Sequence, residues 1–134
     1  MANVPKKTLA GVVGAAAAAL LFSMVPKFEG LELVARLEQR LIEHAEPVLK
    51  CTPVLKGHTY QLAAAVSFAY NVGAGAYCGS TTAKRFSAGD WKGACRAMNE
   101  ADNGRPQWVT AGGRVLPGLV KRRAEERALC ERDL

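Results

Sequence analysis

The sequence predicts an all-α fold with a hydrophobic helix at its N-terminus. Three observations carry that prediction. The stretch from Tyr60 to Cys78 holds Leu62, Ala63, Val66, Phe68, Ala69 and Tyr70 with almost no polar face, the pattern of a buried central helix. Apolar residues recur at helical spacing on either side of it. From Phe28 to Val48 there is no Asn-Gly or Asp-Gly pair and no alternating β-branched run that would make a hairpin.

Taken in order, Lys6 and Lys7 precede an uncharged run from Thr8 to Val25. At helical rise this run spans about 27 Å, just enough for the hydrocarbon core of a membrane. Gly11, Gly14 and Ala15 to Ala19 keep it only mildly hydrophobic. The positive flank predicts a cytoplasmic N-terminus and export of the rest. Ser23-Met24-Val25-Pro26 makes a poor cleavage site. Residues 1–25 therefore read as an uncleaved, weak signal-anchor, touching the inner membrane through residues 8–25, and residues 26–134 as the folded domain. A cleaved signal peptide is the obvious rival. A buried soluble helix is disfavoured because the run offers no polar face.

Pro26 is expected to end that segment. A second helical pattern then begins, with Phe28, Leu31, Val34, Ala35, Leu37, Leu41, Ile42, Ala45 and Val48 on one face and Glu32, Glu38, Arg40 and Glu43 on the other. Pro47 and Pro53 bracket its end, and Cys51 to His58 reads as a loop. The central helix stops where Asn71, Gly73 and Gly75 tolerate left-handed backbone. A buried helix opening into a glycine-rich turn suits a cleft, and an ordinary core helix with an ordinary cap is the plain alternative. A short helix is expected at Thr82–Phe86. Asp90 or Ser87 would cap the next one, with Trp91, Ala94, Cys95 and Met98 on one stripe. Asn99 to Arg105 is a polar loop, and Trp108, Val109 and Ala111 lead into Gly112-Gly113. A last helix is expected from about Leu116 to Leu129, with Leu119, Val120, Ala124 and Leu129 inward. Lys121, Arg122, Arg123, Glu125, Glu126 and Arg127 would then form a solvated outer face of opposite-sign pairs.

A chain of 134 residues is one domain with at most an appendage. The net charge of +6 and pI near 9.4 favour partners bearing phosphate or carboxylate. Nucleic acid, anionic membrane surfaces and acidic wall polymers all qualify by charge. A nucleic-acid partner is excluded by the exported N-terminus and by the lack of a recognisable helix-turn-helix. Cys51, Cys78, Cys95 and Cys130 match no CxxC spacing, so zinc and thioredoxin readings are weak. An even count suits two disulfides in an oxidising compartment, and four unrelated buried thiols are the alternative.

Several ordered blocks resemble a known family. Phe28-Glu29-Gly30-Leu31 is similar to the motif carrying the catalytic glutamate of phage-type lysozymes, the endolysins of glycoside hydrolase family 24. Ser67 to Gly73 resembles the helix end lining their cleft, and Gly93-Ala94-Cys95 the short helix that follows. Trp108 to Leu119, with Arg122, Arg123 and Glu126, resembles their C-terminal signature. The weak anchor resembles the signal-anchor-release segment of one branch, which is tethered to the inner membrane and then escapes to the periplasm. The resemblance implies the α-lobe of a lysozyme-like α+β fold, in a monomer that hydrolyses the MurNAc–GlcNAc β-1,4 linkage of peptidoglycan glycan strands without a metal or organic cofactor. Glu29 is the implied general acid, a role that asks for an apolar setting to keep it protonated. Tyr70, Asn71 and Gly73 would line the saccharide cleft, supported by Arg114 or Arg122. Export makes disulfides reasonable: Cys51–Cys78 would tie the loop before the central helix to the turn after it, and Cys95–Cys130 would tie the Trp91 helix to the last one. Four cysteines nonetheless allow three connectivities.

The chain also departs from the family. There the glutamate is followed by an aspartate and a threonine in a small β-rich lobe that walls the cleft. Glu38 and His44 stand at the corresponding spacings here, but in what reads as continuous helix. On a straight helix Glu29 and Glu38 would lie about 13 Å apart at Cα, against about 6.5–9.5 Å between the carboxyls of an inverting pair. The simpler expectation is that the β-lobe is deleted and Val34-Ala35-Arg36 runs directly into the later helix. An inactive, membrane-tethered remnant that binds glycan weakly is the competing expectation.

Overall fold

The helix that the sequence marks most clearly is also the one the rest packs around. The computed structural model describes residues 7–29 and 34–134, with Glu29 described by its backbone alone. Lys6, Gly30, Leu31, Glu32 and the Glu29 side chain, to which the sequence assigned roles, lie outside the described residues. The central helix, α4, runs Thr59–Val72, and every residue from Gln61 to Tyr70 is buried. The elements before it are α1 (Leu9–Val13), α2 (Ala15–Glu29), α3 (Val34–Cys51) and a 3-10 turn at Pro53–Leu55. After it come α5 (Ala74–Cys78), α6 (Thr81–Ser87), α7 (Trp91–Arg96), the strands β1 (Thr110–Ala111) and β2 (Arg114–Val115), and α8 (Pro117–Cys130). Helices α2, α3, α5 and α8 all pack against α4.

Most buried polar groups of the core have partners that tie elements together, as burial demands. Gln61 Nε2 donates to the carbonyls of Cys130 (2.6 Å) and Arg132 (3.1 Å), so α4 caps the open end of α8. Thr52 Oγ1 bonds the Val48 carbonyl at 2.6 Å and the Tyr77 hydroxyl at 2.9 Å. Burial pushes the Tyr77 phenol up, opposed by that Thr52 bond. Asp90 is the residue that caps α7, accepting from Gly93 N at 3.0 Å, and Ser80 caps α6. The cysteines pair as Cys51–Cys78 and Cys95–Cys130. In the chain-entropy account each such loop stabilises by about 3.5–4 kcal/mol.

Several expectations are corrected. Pro26 does not end the N-terminal helix: α2 continues to Glu29 with Pro26 inside it. Proline forfeits one backbone hydrogen bond there, while Val25, fully buried beside it, holds the turn against the core. Pro47 likewise lies inside α3 rather than closing it, next to the fully buried Val48. The single helix expected from Phe28 is two helices, so Glu29 and Glu38 belong to different elements.

The run from Thr8 to Val25 is also not one rod. Thr8 caps α1, and Gly14 at φ 91° breaks it from α2, a conformation that costs glycine nothing and other residues a good deal. Leu9, Val13, Ala17, Leu21 and Val25 recur every fourth residue and are all buried. They dock α1 and α2 on α3 and α4, with the small residues Ala10, Gly11, Ala15, Ala16 and Ala19 turned outward. Among the described residues no helix is long and apolar enough to cross a membrane. The domain is mostly helical but not wholly so. Thr110 pairs with Val115 and Ala111 with Arg114 in an antiparallel hairpin. Its turn is Gly112-Gly113, both at positive φ, a pair that suits a two-residue turn of this hand.

Candidate active-site cleft

A cleft of about 840 Å³ opens where three helices converge. The end of α2 supplies Lys27 and Phe28, the end of α4 supplies Asn71, and the start of α8 supplies Leu116 to Leu119, Lys121, Arg122 and Glu125. Each arrives for a local reason. The four-residue apolar repeat carries α2 across the core and delivers Phe28 at its far end. Gly73, at φ 97°, stops α4 just past Asn71. Pro117 at the first turn of α8 starts that helix at the cleft's edge.

Beneath the cleft lies a buried ion cluster. Arg122, Arg123 and Glu126 are 3%, 0% and 0% exposed. Glu126 Oε2 accepts from Ser67 Oγ at 2.6 Å and from Arg122 Nε at 3.3 Å, while its Oε1 lies 2.9 Å from Arg123 Nε. Arg122 Nη2 donates to the Ser67 carbonyl at 3.2 Å, and Arg123 Nη2 to Asn71 Oδ1 at 2.8 Å. The two guanidiniums also stack, Arg122 at 4.7 Å from the Phe28 ring centre and Arg123 at 4.9 Å from that of Phe68. Burial pushes the Glu126 carboxyl up, and Arg123, the Ser67 hydroxyl and Arg122 pull it back. The solvated outer face expected for α8 is therefore overturned in part. Leu129 is buried, whereas Val120 and Ala124 are exposed and three of the charged residues point inward. Charges can go inside here because α4 offers Ser67, Asn71 and an aromatic ring as partners.

The candidate residues separate into three groups. Glu29 is the last residue of α2, directly after Phe28 in the cleft wall. Asn71 and Arg122 are among the residues lining this cleft, and both are engaged in holding its floor. Tyr70 is buried behind the lining, its ring 5.1 Å from the His44 ring and 5.1 Å from the Arg40 guanidinium. Gly73 shapes the turn beyond Asn71 and does not line the cleft. Arg114 stands exposed on β2, outside the lining. Glu38 and His44 have local duties on α3: Glu38 Oε2 accepts from Leu9 N at 3.0 Å, capping α1, and His44 Nδ1 meets the Arg40 carbonyl at 2.7 Å. The sequence singled out neither Lys27 nor Glu125 for the cleft, yet they pair across it at 3.1 Å. No local pattern flags such a contact between helices distant in the chain. Leu116 to Leu119 did stand in a quoted motif, without a role.

Fold and cleft together define a helical domain with a polar-rimmed groove over a buried ionic floor. The chain belongs to the phage lysozyme family, whose sequence profile matches residues 16–126. It is 42% identical over 64 residues to the SAR-endolysin of Enterobacteria phage PA-2, a match covering 48% of this chain and 34% of that protein. The chain thus spans about a third of the length of the curated relatives it matches. Among solved structures, the muramidase domain of SpmX from Asticaccaulis excentricus is 26% identical with a TM-score of 0.66, over 84% of this chain and 95% of that one. The active form of the P1 phage endolysin Lyz shares the fold at 17% identity, with a TM-score of 0.63 over 89% and 84% of the two chains.

Proposed function

We propose that the protein is a peptidoglycan glycosidase, cleaving the MurNAc–GlcNAc β-1,4 linkage with Glu29 as general acid. The observation that carries the reading is the position of Glu29 at the end of α2, one residue beyond Phe28 in the wall of the cleft. Glycosidic cleavage needs a carboxyl that protonates the leaving oxygen, and α2 ends where a saccharide in the groove would pass. The ionic floor made by Arg122, Arg123 and Glu126 holds Phe28 and Asn71 in fixed places, which is what a positioned acid requires. Net charge of +6 favours accumulation on an anionic envelope.

The location follows the same reading. Residues 8–25 serve first as a weak inner-membrane anchor, and the domain is then released to the periplasm as a monomer. The docked arrangement of α1 and α2 corresponds to the released form. Large apolar residues fill the core while alanines and glycines, tolerable in lipid or in water, face out. The two disulfides suit an oxidising compartment.

The test is release of reducing ends from purified peptidoglycan by the oxidised full-length chain and by Glu29→Gln. Turnover that vanishes in Glu29→Gln supports the assignment. Equal, negligible turnover by both chains would sink it and leave the second reading, a glycan-binding remnant. That second reading rests on the direct join through Val34-Ala35-Arg36, where the family places its β-lobe with the aspartate and threonine.

A further inference from the structure

We infer that the β1–β2 hairpin and the start of α8 form a docking surface for a bilayer bearing anionic phospholipid headgroups. The inference stands apart from the chemistry of Glu29 and needs only a domain that meets a lipid surface. Every residue from Thr110 to Gly118 is exposed. Val115, Leu116 and Val120 stand 60%, 39% and 43% bare. They are neighbours. Val115 leads directly into Leu116, and Val120 N donates to the Leu116 carbonyl at 3.0 Å, one turn further along the same flank of α8. Adjoining bare aliphatics, unlike single ones, mark an interaction site.

The base of this protrusion is fixed. Val109 is buried, the Trp108 ring meets Phe68 of α4 edge-on at 5.4 Å between centres, and Leu116 N donates to the Val109 carbonyl at 2.9 Å. Trp108 holds φ 62°, a strained backbone for a residue with a side chain, and its ring contact keeps it there. Beyond Val109 the chain leaves the core, so the hairpin is carried on a rigid stem.

Charge selects the partner. No acidic residue stands between Asp102 and Glu125, while Arg114 and Lys121 are exposed within that stretch. Arg114 flanks Val115 on β2, and Lys121 flanks Val120 on α8. Glu125, the next acid, is paired with Lys27 at 3.1 Å. A second copy of the chain would bring these cations against their own like, at a net charge of +6 per copy. A saccharide is the poorer occupant: Val115 and Val120 lie outside the cleft lining, and their side chains offer neither a hydrogen bond nor an aromatic ring. Aliphatic side chains flanked by Arg and Lys suit the surface of an anionic bilayer. There the apolar groups sink to the boundary of headgroup and acyl chain, and the cations stay with the phosphates.

The experiment sediments the oxidised full-length chain with vesicles of phosphatidylcholine, with and without phosphatidylglycerol. Binding is expected to the vesicles that contain phosphatidylglycerol. Val115→Ser/Val120→Ser should weaken it about tenfold or more, and Arg114→Gln about fivefold. Both should keep the wild-type Tm, since the side chains are exposed. Ala16→Lys, on the bare face of α2, should bind as wild type does. Binding lost in Ala16→Lys and kept in the double variant belongs to residues 8–25 and overturns the inference. Equal binding to vesicles without phosphatidylglycerol overturns it as well, as does no binding to either. A double variant that sediments less with purified peptidoglycan, and not with vesicles, gives the patch to glycan. One that abolishes a concentration-dependent dimer gives it to a second copy. Should the double variant unfold, Arg114→Gln decides alone, and unchanged binding overturns the inference. Equal inactivity of wild type and Glu29→Gln on peptidoglycan would remove the glycosidase reading and leave vesicle binding untouched.

Discussion

The N-terminal pair α1 and α2 and the central helix α4 are built from nearly the same residues and end up in different positions. Both are rich in alanine and almost uncharged. In α4 the residues from Gln61 to Tyr70 are covered on every side. In α1 and α2 one side, with Leu9, Val13, Ala17, Ala18, Leu21 and Val25, is covered, and Ala10, Ala15, Ala16 and Ala19 are bare. The difference lies in side-chain size and its order along the chain. Large residues alternate with small ones around α4, so every face packs. In the N-terminal pair the large residues gather on and beside one stripe, where Val12, Leu20, Phe22 and Met24 also reach the core, and the opposite face holds residues too small to hold a neighbour.

The largest effect should come from the charged partner of α4. Glu126→Ala leaves Arg122 and Arg123 buried without the carboxylate they share, a change on the order of 3–5 kcal/mol. At this chain length it should lower Tm by roughly 10–20 °C in a calorimetric scan. Next comes the covalent tie of α7 to α8. The double variant Cys95→Ser/Cys130→Ser should lose about 3.8 kcal/mol by urea titration, in the chain-entropy account. Ala65→Leu, in the middle of α4, overpacks a filled site and should cost about 1–3 kcal/mol. Ala16→Leu, on the bare face of α2, should stay within about 0.5 kcal/mol of wild type. If the two leucine variants cost the same, the contrast between these helices is wrong. Ala16→Lys sharpens the point. It should leave the Tm almost unmoved and, on the anchoring proposed above, make membrane residence about 2.5–3.5 kcal/mol less favourable, seen as loss from the membrane fraction on sedimentation.

The same comparison explains what the sequence could tell. Helix α4 was legible because it has almost no polar face, and α7 because Asp90 is a cap that acts within three residues. Docking of α1 and α2 was not, because an alanine face looks alike in lipid, in water and in a core. Prolines 26 and 47 read as stops since their local cost is visible and the packing of Val25 and Val48 is not. The hairpin at Thr110–Val115 has strands of two residues, below the length at which alternation can be seen, although Gly112-Gly113 was a turn signal. The inward charges of α8 were hidden most thoroughly. Lys121 to Arg127 looks like any solvated helix face, and only Ser67 and Asn71, more than fifty residues earlier, make Arg122, Arg123 and Glu126 stable inside. In the cleft, Phe28, Asn71 and Arg122 lay in or beside recognisable motifs, whereas Lys27 and Glu125 became visible as a pair only through the folding of α2 onto α8.

The disulfide pattern has a consequence for how the protein is made. Each cysteine is bonded to its neighbour in sequence, the first to the second and the third to the fourth. On the export proposed above, with the N-terminal side leading, Cys51 and Cys78 reach an oxidase before Cys95 and Cys130 emerge. Oxidation in order of appearance then yields the native set, with no wrong bridge to undo. Such a chain has little need of an isomerase.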